Sequence, residues 1–334
     1  LSARIAGATM LSGRSLIRTA PGIHGPDEAA VAELAGGREV NRQLGVEVGI
    51  DVDEAAVEDA LGTGIFSGAG TERSRFAQAA RGEFLAARWI ADGGLSPGQR
   101  DDLLFSVATR KLVPQLREVA VSLAELSPEF EAVLLDRDPL VLLRSDPRRL
   151  DNGGRERAVE ALLEGARDLV VDRWDSRTRR SYSALVFPGI VDLLASILGD
   201  ASDSPWARQI ACDLAAECDL LSLAPILTDL ALDPEADLQV RVAATSALSD
   251  LADEAQLEKI RPLALGPLKE DEDDELKAAA LKILWPDVIG IEELVGALSE
   301  PKRDHGIDGD RMFLAGSLVS GLKPDDLPAM LRCA

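Results

Sequence analysis

Residue types that usually build catalytic and metal sites are scarce in this sequence. Its 334 residues include three cysteines and two histidines. Cys212 and Cys218 lie in one predicted helix at a spacing that fits neither a zinc site nor a disulfide framework, so we interpret both as small buried residues of a cytoplasmic protein. His24 and His305 are distant in sequence, and each lies in a glycine-containing loop. The sequence therefore indicates no catalytic triad and no metal site.

Aromatic residues and long apolar stretches are also few. Aromatics make up 4% of the chain, while alanine and leucine are abundant, and this composition favours helices over β-rich folds. No stretch of about 18 apolar residues occurs, so we expect no membrane-spanning segment. The chain does not begin with Met, and residues 1–18 have the apolar spacing of a helix interior. We therefore expect a piece of a longer protein.

Basic residues are outnumbered, and the imbalance lies mainly in the second half. The net charge is -22, and residues 182–334 hold 29 acidic against 12 basic residues. An acidic surface repels phosphate groups, so direct nucleic-acid binding by this half is disfavoured. The charge instead suits a basic protein partner.

What the second half does contain is an internal repeat. Four stretches align without gaps from Asp203, Asp237, Asp273 and Gly309, at spacings of 34, 36 and 36 residues. Asp at the first position suits a helix N-cap, and alanines in register allow neighbouring helices to approach closely. An amphipathic segment precedes each stretch. The sequence therefore predicts helix pairs joined by acidic loops, which bury their apolar faces only when they are stacked.

These pairs resemble HEAT repeats over about residues 187–334, and "VRVAATSALSDLAD" from Val240 is similar to the second helix of that family. The resemblance implies an α-solenoid that binds a protein partner. The candidate partner-binding residues are Arg208, Arg241, Lys277, Glu270, Asp271 and Glu272. Arg241 and Lys277 share one repeat position, and we favour the alternative that they pair with acidic neighbours. The run "KEDEDDE" lacks the glycine and spaced ligands of an EF-hand loop, so we favour a solvated loop with a capping aspartate over a calcium site.

The first half contains a glycine-rich run, "GTGIFSGAG", followed by "TERSRFAQAARGEFLAARW". The glycines lead into a predicted strand rather than a helix, and no Gly-Lys pair occurs in the chain, so neither a dinucleotide site nor a P-loop is indicated. We predict a helix that ends near Leu61, a hairpin with a turn at Gly68–Gly70, and a helix over about residues 80–91. This order is typical of a winged helix. Residues 1–35 are predicted to form one helix and a second short one.

The stretch "FSGAG…SRFAQAARGEFLAARWIA" resembles the part that follows the NTPase core in bacterial NACHT-type STAND proteins, and the resemblance covers most of residues 1–181. The matching residues are Phe76, Glu83, Phe84, Leu85, Ala86 and Ala87. Gln78 stands where the family pattern has His, and Arg81 stands where it has an aromatic residue. The resemblance implies an ATP-dependent switch whose ATP or ADP and Mg²⁺ bind in an NTPase region outside this chain, with possible homo-oligomers through the full-length protein. By helical spacing, Phe84, Leu85 and Trp89 are predicted core residues.

A basic and aromatic segment lies between the two halves. Arg173, Arg177, Arg179 and Arg180 stand close to Trp174 and Tyr182. Such a cluster can bind nucleic acid or phosphate, and we favour pairing of the arginines with the acidic repeats.

The predicted fold is mainly α, with a winged-helix-like region over 1–98, a helical linker arm over 99–181 and a HEAT-like solenoid over 182–334 whose last repeat is incomplete. We expect the regulatory and sensing arm of a bacterial switch protein with a role in antiphage defence, without catalytic activity of its own. A scaffold that holds subunits together without sensing is an alternative. A HEAT-like nucleic-acid enzyme is a further alternative, which the acidic repeats and the lack of a catalytic cluster disfavour.

Overall fold

The computed structural model describes residues 1–22, 25–41, 48–169, 171, 176–266, 268, 271–298, 313, 316, 318 and 321–326. The chain is mainly helical with a small sheet, as predicted. It forms two compact units, Leu1–Ser145 and Asp146–Ala334. The boundary between these units falls inside the predicted arm 99–181, so the three-part division stays a prediction. Of the residues singled out above, His24, Glu270, His305, Arg173 and Trp174 lie outside the described residues, as does most of the fourth repeat.

Within its described residues, the first unit combines helices with six short strands. Its elements are α1 (Ser2–Leu11), β1 (Leu16–Arg18), β2 (Glu28–Ala30), α2 (Val31–Leu34), β3 (Arg38–Asn41), β4 (Val48–Asp51), α3 (Glu54–Leu61), β5 (Phe66–Gly68), β6 (Arg73–Phe76), α4 (Ala79–Asp92), α5 (Pro97–Leu104), α6 (Arg117–Leu126) and α7 (Pro128–Arg137). One sheet has the order β2-β1-β6-β5, in which β1 is parallel to β2 and antiparallel to β6. Strands β3 and β4 form a separate antiparallel pair.

The glycine-rich run forms the predicted hairpin. Phe66 pairs with Phe76 across β5 and β6, and the centroids of their rings are 4.6 Å apart. Gly70 in the turn has φ +101°, a left-handed conformation that favours glycine. Both flanking helices, α3 and α4, are present where the sequence predicts them.

The prediction for residues 1–35 misses the strands β1 and β2. Helix α1 stops at Leu11 because Gly13 adopts φ +70°. Leu16–Arg18 then pairs with β2 on one side and β6 on the other, and Ile17 is 1% exposed. Three-residue strands carry too little alternation to be separated from a helix by their pattern alone.

Helix α4 lies against α1 and α6. Ala86, Ala87 and Ile90 are buried, whereas Phe84 is 41% exposed. The prediction that Phe84 is a core residue is therefore wrong, because the buried face of α4 is centred on the two alanines. The close contact with α1 involves Gly7, whose Cα faces the ring of Trp89.

The second unit is helical throughout its described elements. These are α8 (Asn152–Arg167), α9 (Ser176–Arg179), α10 (Ile190–Gly199), α11 (Pro205–Glu217), α12 (Ala224–Leu232), α13 (Leu238–Leu251), α14 (Glu254–Leu265), α15 (Glu275–Leu284) and α16 (Ile291–Ala297). The pairs α10–α11, α12–α13 and α14–α15 correspond to the three repeats that the sequence places here, and the two helices of each pair are in contact. Contacts also join α11, α13 and α15 in one row, and α10, α12, α14 and α16 in a second.

The repeat predicts that the first aspartate of each aligned stretch caps the second helix of its pair, and it does so in one of the three described pairs. Asp237 accepts hydrogen bonds from the backbone N–H groups of Gln239 (2.9 Å) and Val240 (3.2 Å), which confirms its predicted capping role. In the first pair, Ser204 occupies the N-cap, while Asp203 binds Arg167. In the third pair, the carboxylate that caps the helix belongs to Asp271 rather than to Asp273.

Candidate functional site

Three cations predicted to meet a partner are buried in the fold. Arg208, Arg241 and Lys277 are 6%, 2% and 7% exposed. Arg208 Nη2 donates to the carbonyl of Leu198 at 2.9 Å, and Arg241 Nε donates to the carbonyl of Ala231 at 3.1 Å. Both carbonyls lie near the end of the preceding helix, ten residues back, where helical partners are missing. The partner-binding prediction for these residues is corrected, because all three are buried and the side chains of Arg208 and Arg241 bond to the first helix of their own pair.

The acids of the "KEDEDDE" loop divide between burial and exposure. Asp271 is fully buried, and its two carboxylate oxygens accept the backbone N–H groups of Glu275 (2.8 Å) and Lys277 (3.0 Å). It therefore caps α15 and is not available to a partner, which corrects its assignment and agrees with the capping interpretation. Glu272 is exposed, and Glu270 lies outside the described residues.

The residues that match the NACHT-type pattern lie together on β6 and α4. Phe76 and the pair Ala86 and Ala87 are buried, whereas Glu83 and Leu85 are half-buried. Gln78 occupies the N-cap of α4, where its carbonyl accepts the N–H of Arg81 at 3.1 Å. The segment thus has a structural role in holding α4 beside the hairpin.

A groove with a volume of about 840 Å³ crosses α11, α13 and α15 in the second unit. We call it the α11–α13–α15 groove. Its lining includes Arg179, Asp213, Ala216, Glu217, Asp219, Gln239, Val242, Ser246, Ala247, Ser249, Asp250, Glu275, Ala278, Ala279, Lys282 and Phe313. Alanine and serine supply six of these residues, so short side chains form much of this surface.

Acidic side chains dominate the charge of this groove. Five carboxylates line it against two cations. Arg179 Nε donates to Glu217 Oε1 at 3.1 Å, and its Nη2 lies 3.6 Å from Asp213 Oδ1. Glu275 accepts a hydrogen bond from Gln239 of the neighbouring pair. The predicted pairing of the basic segment with the acidic repeats is confirmed for Arg179.

The groove was not predicted, although the repeat alignment held a signal for it. Gln239 and Glu275 share one aligned position, as do Val242 and Ala278, and Ser246 and Lys282 share a third. These positions recur at helical spacing on the second helices α13 and α15, opposite the apolar face that packs inward. Sequence reasoning selected charged residues near the helix starts, and four of them are buried: Arg208, Arg241, Asp271 and Lys277.

Other features of the described residues add no second site. Cys212 and Cys218 are both buried, as predicted, and burial raises the pKa of the Cys218 thiol to about 12. Among the described residues, no group of three or more His, Cys, Asp or Glu side chains is placed to hold a metal ion. None of the described helices has the length and apolar character needed to span a bilayer.

Comparison with known proteins returned nothing that identifies this fold or site: a scan against family models, a search of curated proteins and a search of solved structures each found no match.

Proposed function

We propose that the second unit is a HEAT-like solenoid that binds a protein partner in the α11–α13–α15 groove. The observation that supports the proposal is the row of second helices, whose shared surface is lined by small residues and exposed carboxylates. Stacked helix pairs expose one such continuous face, and repeat proteins use it for binding. Ser246, Ser249 and Asp250 on the central helix α13 are all exposed.

The size and lining of the groove favour a peptide segment over a small molecule. Its volume lies toward the upper end of the range of about 300–1,000 Å³ found for ligand sites. Small-molecule sites are mostly apolar and enclosed, whereas this surface carries exposed charges contributed by three helices. A chain segment can lay several side chains along such a surface.

We further propose that the chain is the regulatory and sensing arm of a bacterial NACHT-type switch protein in the cytoplasm. The resemblance of residues 76–91 to that family supports this, with ATP or ADP and Mg²⁺ assigned to an NTPase region outside the chain. The connectivity of the first unit also supports it. Apart from the β3–β4 pair, the order is α1, β1, β2, α2, α3, β5, β6, with β6 between β1 and β5. This order resembles that of a winged helix to which strand β2 and the β3–β4 hairpin are added.

This winged-helix arrangement is not suited to DNA. Helix α3, which holds the position that enters the major groove in DNA-binding members, carries Glu54, Glu58 and Asp59 and is capped by Asp53. Four carboxylates on one short helix repel the phosphate backbone. We therefore propose a structural or regulatory role for this unit.

The groove proposal can be tested by selecting binders from an unbiased peptide display library on the purified chain. A Ser246→Trp variant fills the groove from an exposed position on α13. Its control is Ala255→Trp, an exposed position on α14 that does not line the groove. We expect peptides whose binding is lost with Ser246→Trp and kept with Ala255→Trp. Peptides that bind both variants equally, or no enrichment at all, would contradict the groove as the binding site.

A further inference from the structure

The carboxylates of the α11–α13–α15 groove are distributed so that each helix of the row contributes. Asp219 follows α11, Asp250 lies in the last turn of α13, and Glu275 is the first residue of α15. All three are exposed. A segment that crosses the row therefore meets a carboxylate at each helix. Lys282, in the last turn of α15, is the exposed cation that faces these acids.

The chain itself places a guanidinium in this groove. Arg179, at the end of α9, reaches Glu217 and Asp213, and the Asp213 side chain is 5% exposed. A buried carboxylate is costly unless it is paired. The α11 end of the groove is thus already built to hold an arginine side chain between two carboxylates.

We propose that the occupant of the groove is a basic segment of a partner protein, with arginine or lysine side chains directed at Asp219, Asp250 and Glu275. The small side chains Ala278, Ala279 and Ser246 leave room for the stems of these long residues. This proposal rests on the proposed function and adds the chemistry of the partner. A second copy of this chain is a poor match, because the chain carries a net charge of -22.

The test uses three synthetic peptides of equal length that differ only at the charged positions, which are arginine, glutamine or glutamate. Their affinities for the purified chain are measured by fluorescence anisotropy. We expect the arginine peptide to bind at least about fivefold more tightly than the glutamine peptide, and the glutamate peptide to bind least. Binding of the arginine peptide should weaken as salt is raised from about 50 to 200 mM, because the contacts are exposed.

Because the whole chain is acidic, the variants must separate groove binding from non-specific attraction. The groove variant is Asp250→Lys with Glu275→Gln. The control is Asp229→Lys with Glu254→Gln, which changes the net charge equally on α12 and α14. The match is close, because Glu254 and Glu275 each begin a helix, and Asp229 and Asp250 are exposed near helix ends. We expect the groove variant to lose at least about fivefold in affinity for the arginine peptide and the control to lose less than about twofold.

Three different failures are distinguishable. If display on the chain yields groove-dependent peptides that are neutral or acidic, or if the glutamine peptide binds as tightly as the arginine peptide, the basic partner is ruled out while the groove remains a binding site. If the control variant loses as much affinity as the groove variant, the attraction belongs to the whole acidic surface. Self-association of the chain that the groove variant abolishes would assign the groove to a second copy.

Discussion

Arg208 and Arg241 each place a guanidinium against carbonyls in the last turn of the preceding helix. A cation is favoured there, because the final carbonyls of a helix lack partners and carry the negative end of the helix dipole. Because these residues are charged, the sequence predicted that they are exposed to a partner. Their long stems, however, let them cross between the two helices of a pair and remain almost wholly covered.

Replacing Arg241 by methionine keeps most of the stem and removes the donor. We expect the free energy of unfolding of the second unit to fall by about 2 kcal/mol, because the Ala231 carbonyl loses its partner inside the protein. Chemical denaturation gives the measurement. Lys259→Met, at an exposed position on α14, is the control and should change stability by less than about 0.5 kcal/mol. Equal effects of the two substitutions would contradict the role assigned to Arg241.

Gly7 shows the opposite case, in which a missing side chain sets the packing. A Cβ at this position would lie 2.6 Å from Cε3 of Trp89, so alanine forces the ring of Trp89 away from α1. We expect Gly7→Ala to destabilise the first unit by about 1 kcal/mol or more, even though alanine favours helices. Gly98→Ala, where nothing lies within 4 Å, should be neutral or stabilising. The thermal midpoints of the two variants should therefore move in opposite directions, or that of Gly98→Ala should not move.

Among the helices, α15 depends on a cap that lies four residues before its start. Asp271 is buried and accepts two backbone N–H groups of the first turn, whereas its neighbour Glu272 is exposed. A run of several acids offers several possible caps, and the sequence alone does not select among them. The backbone selects Asp271, because the following residues turn through Asp274 at φ +54° before the helix begins.

Asp271→Ala should therefore cost about 1–2 kcal/mol of unfolding free energy, and Glu272→Ala should cost almost nothing. Urea denaturation of the two variants provides the comparison. If Asp271→Ala left stability unchanged, the capping role would be wrong.

The link between α8 and the start of α11 is sensitive to pH. Arg167 Nε and Nη2 donate to the two oxygens of Asp203 at 2.8 and 2.7 Å, and this pairing holds the pKa of the Asp203 carboxyl below its ordinary value. A carboxyl whose pKa is lowered on folding contributes stability above its unfolded pKa, near 3.9, and loses that contribution as the pH falls through the folded pKa.

We expect the unfolding free energy of the second unit to fall as the pH drops below about 4, partly through this pair. Asp203→Asn should be less stable than the unchanged chain at neutral pH, and the difference should shrink under acid conditions. Denaturation curves at several pH values measure it. A difference that stays constant with pH would mean that the ionisation of Asp203 does not contribute.

Over the whole molecule, the sequence predicted secondary structure best where the same residue pattern recurs over many residues. The helix pairs of the second half were found because apolar residues and alanines recur through complete helices. The hairpin was found because its glycines and flanking apolar residues are local. Strands β1 and β2 were missed because each has three residues, and because β1 pairs with β6, which is distant in sequence, as well as with β2.

The candidate site was harder to predict than the fold. Exposure of Ser246 or Asp250 and burial of Arg241 depend on how neighbouring pairs stack, and that stacking involves contacts between residues far apart in sequence. The repeat alignment gives each of these residues a position in the repeat, but it does not determine which face of the helix is buried at that position. The acidic balance of the second half did anticipate the charge of the α11–α13–α15 groove.

The bonds from Arg208 to the Leu198 carbonyl and from Arg241 to the Ala231 carbonyl lie within the helix pairs α10–α11 and α12–α13. A break in the chain between these pairs would separate apolar surfaces but would leave each of these buried bonds intact. A gene that gained or lost one stretch encoding a pair would therefore add or remove a unit that brings its own polar partners with it. This makes the number of pairs an easily varied property in evolution, so that the length of the row of second helices can change while each pair keeps its internal structure.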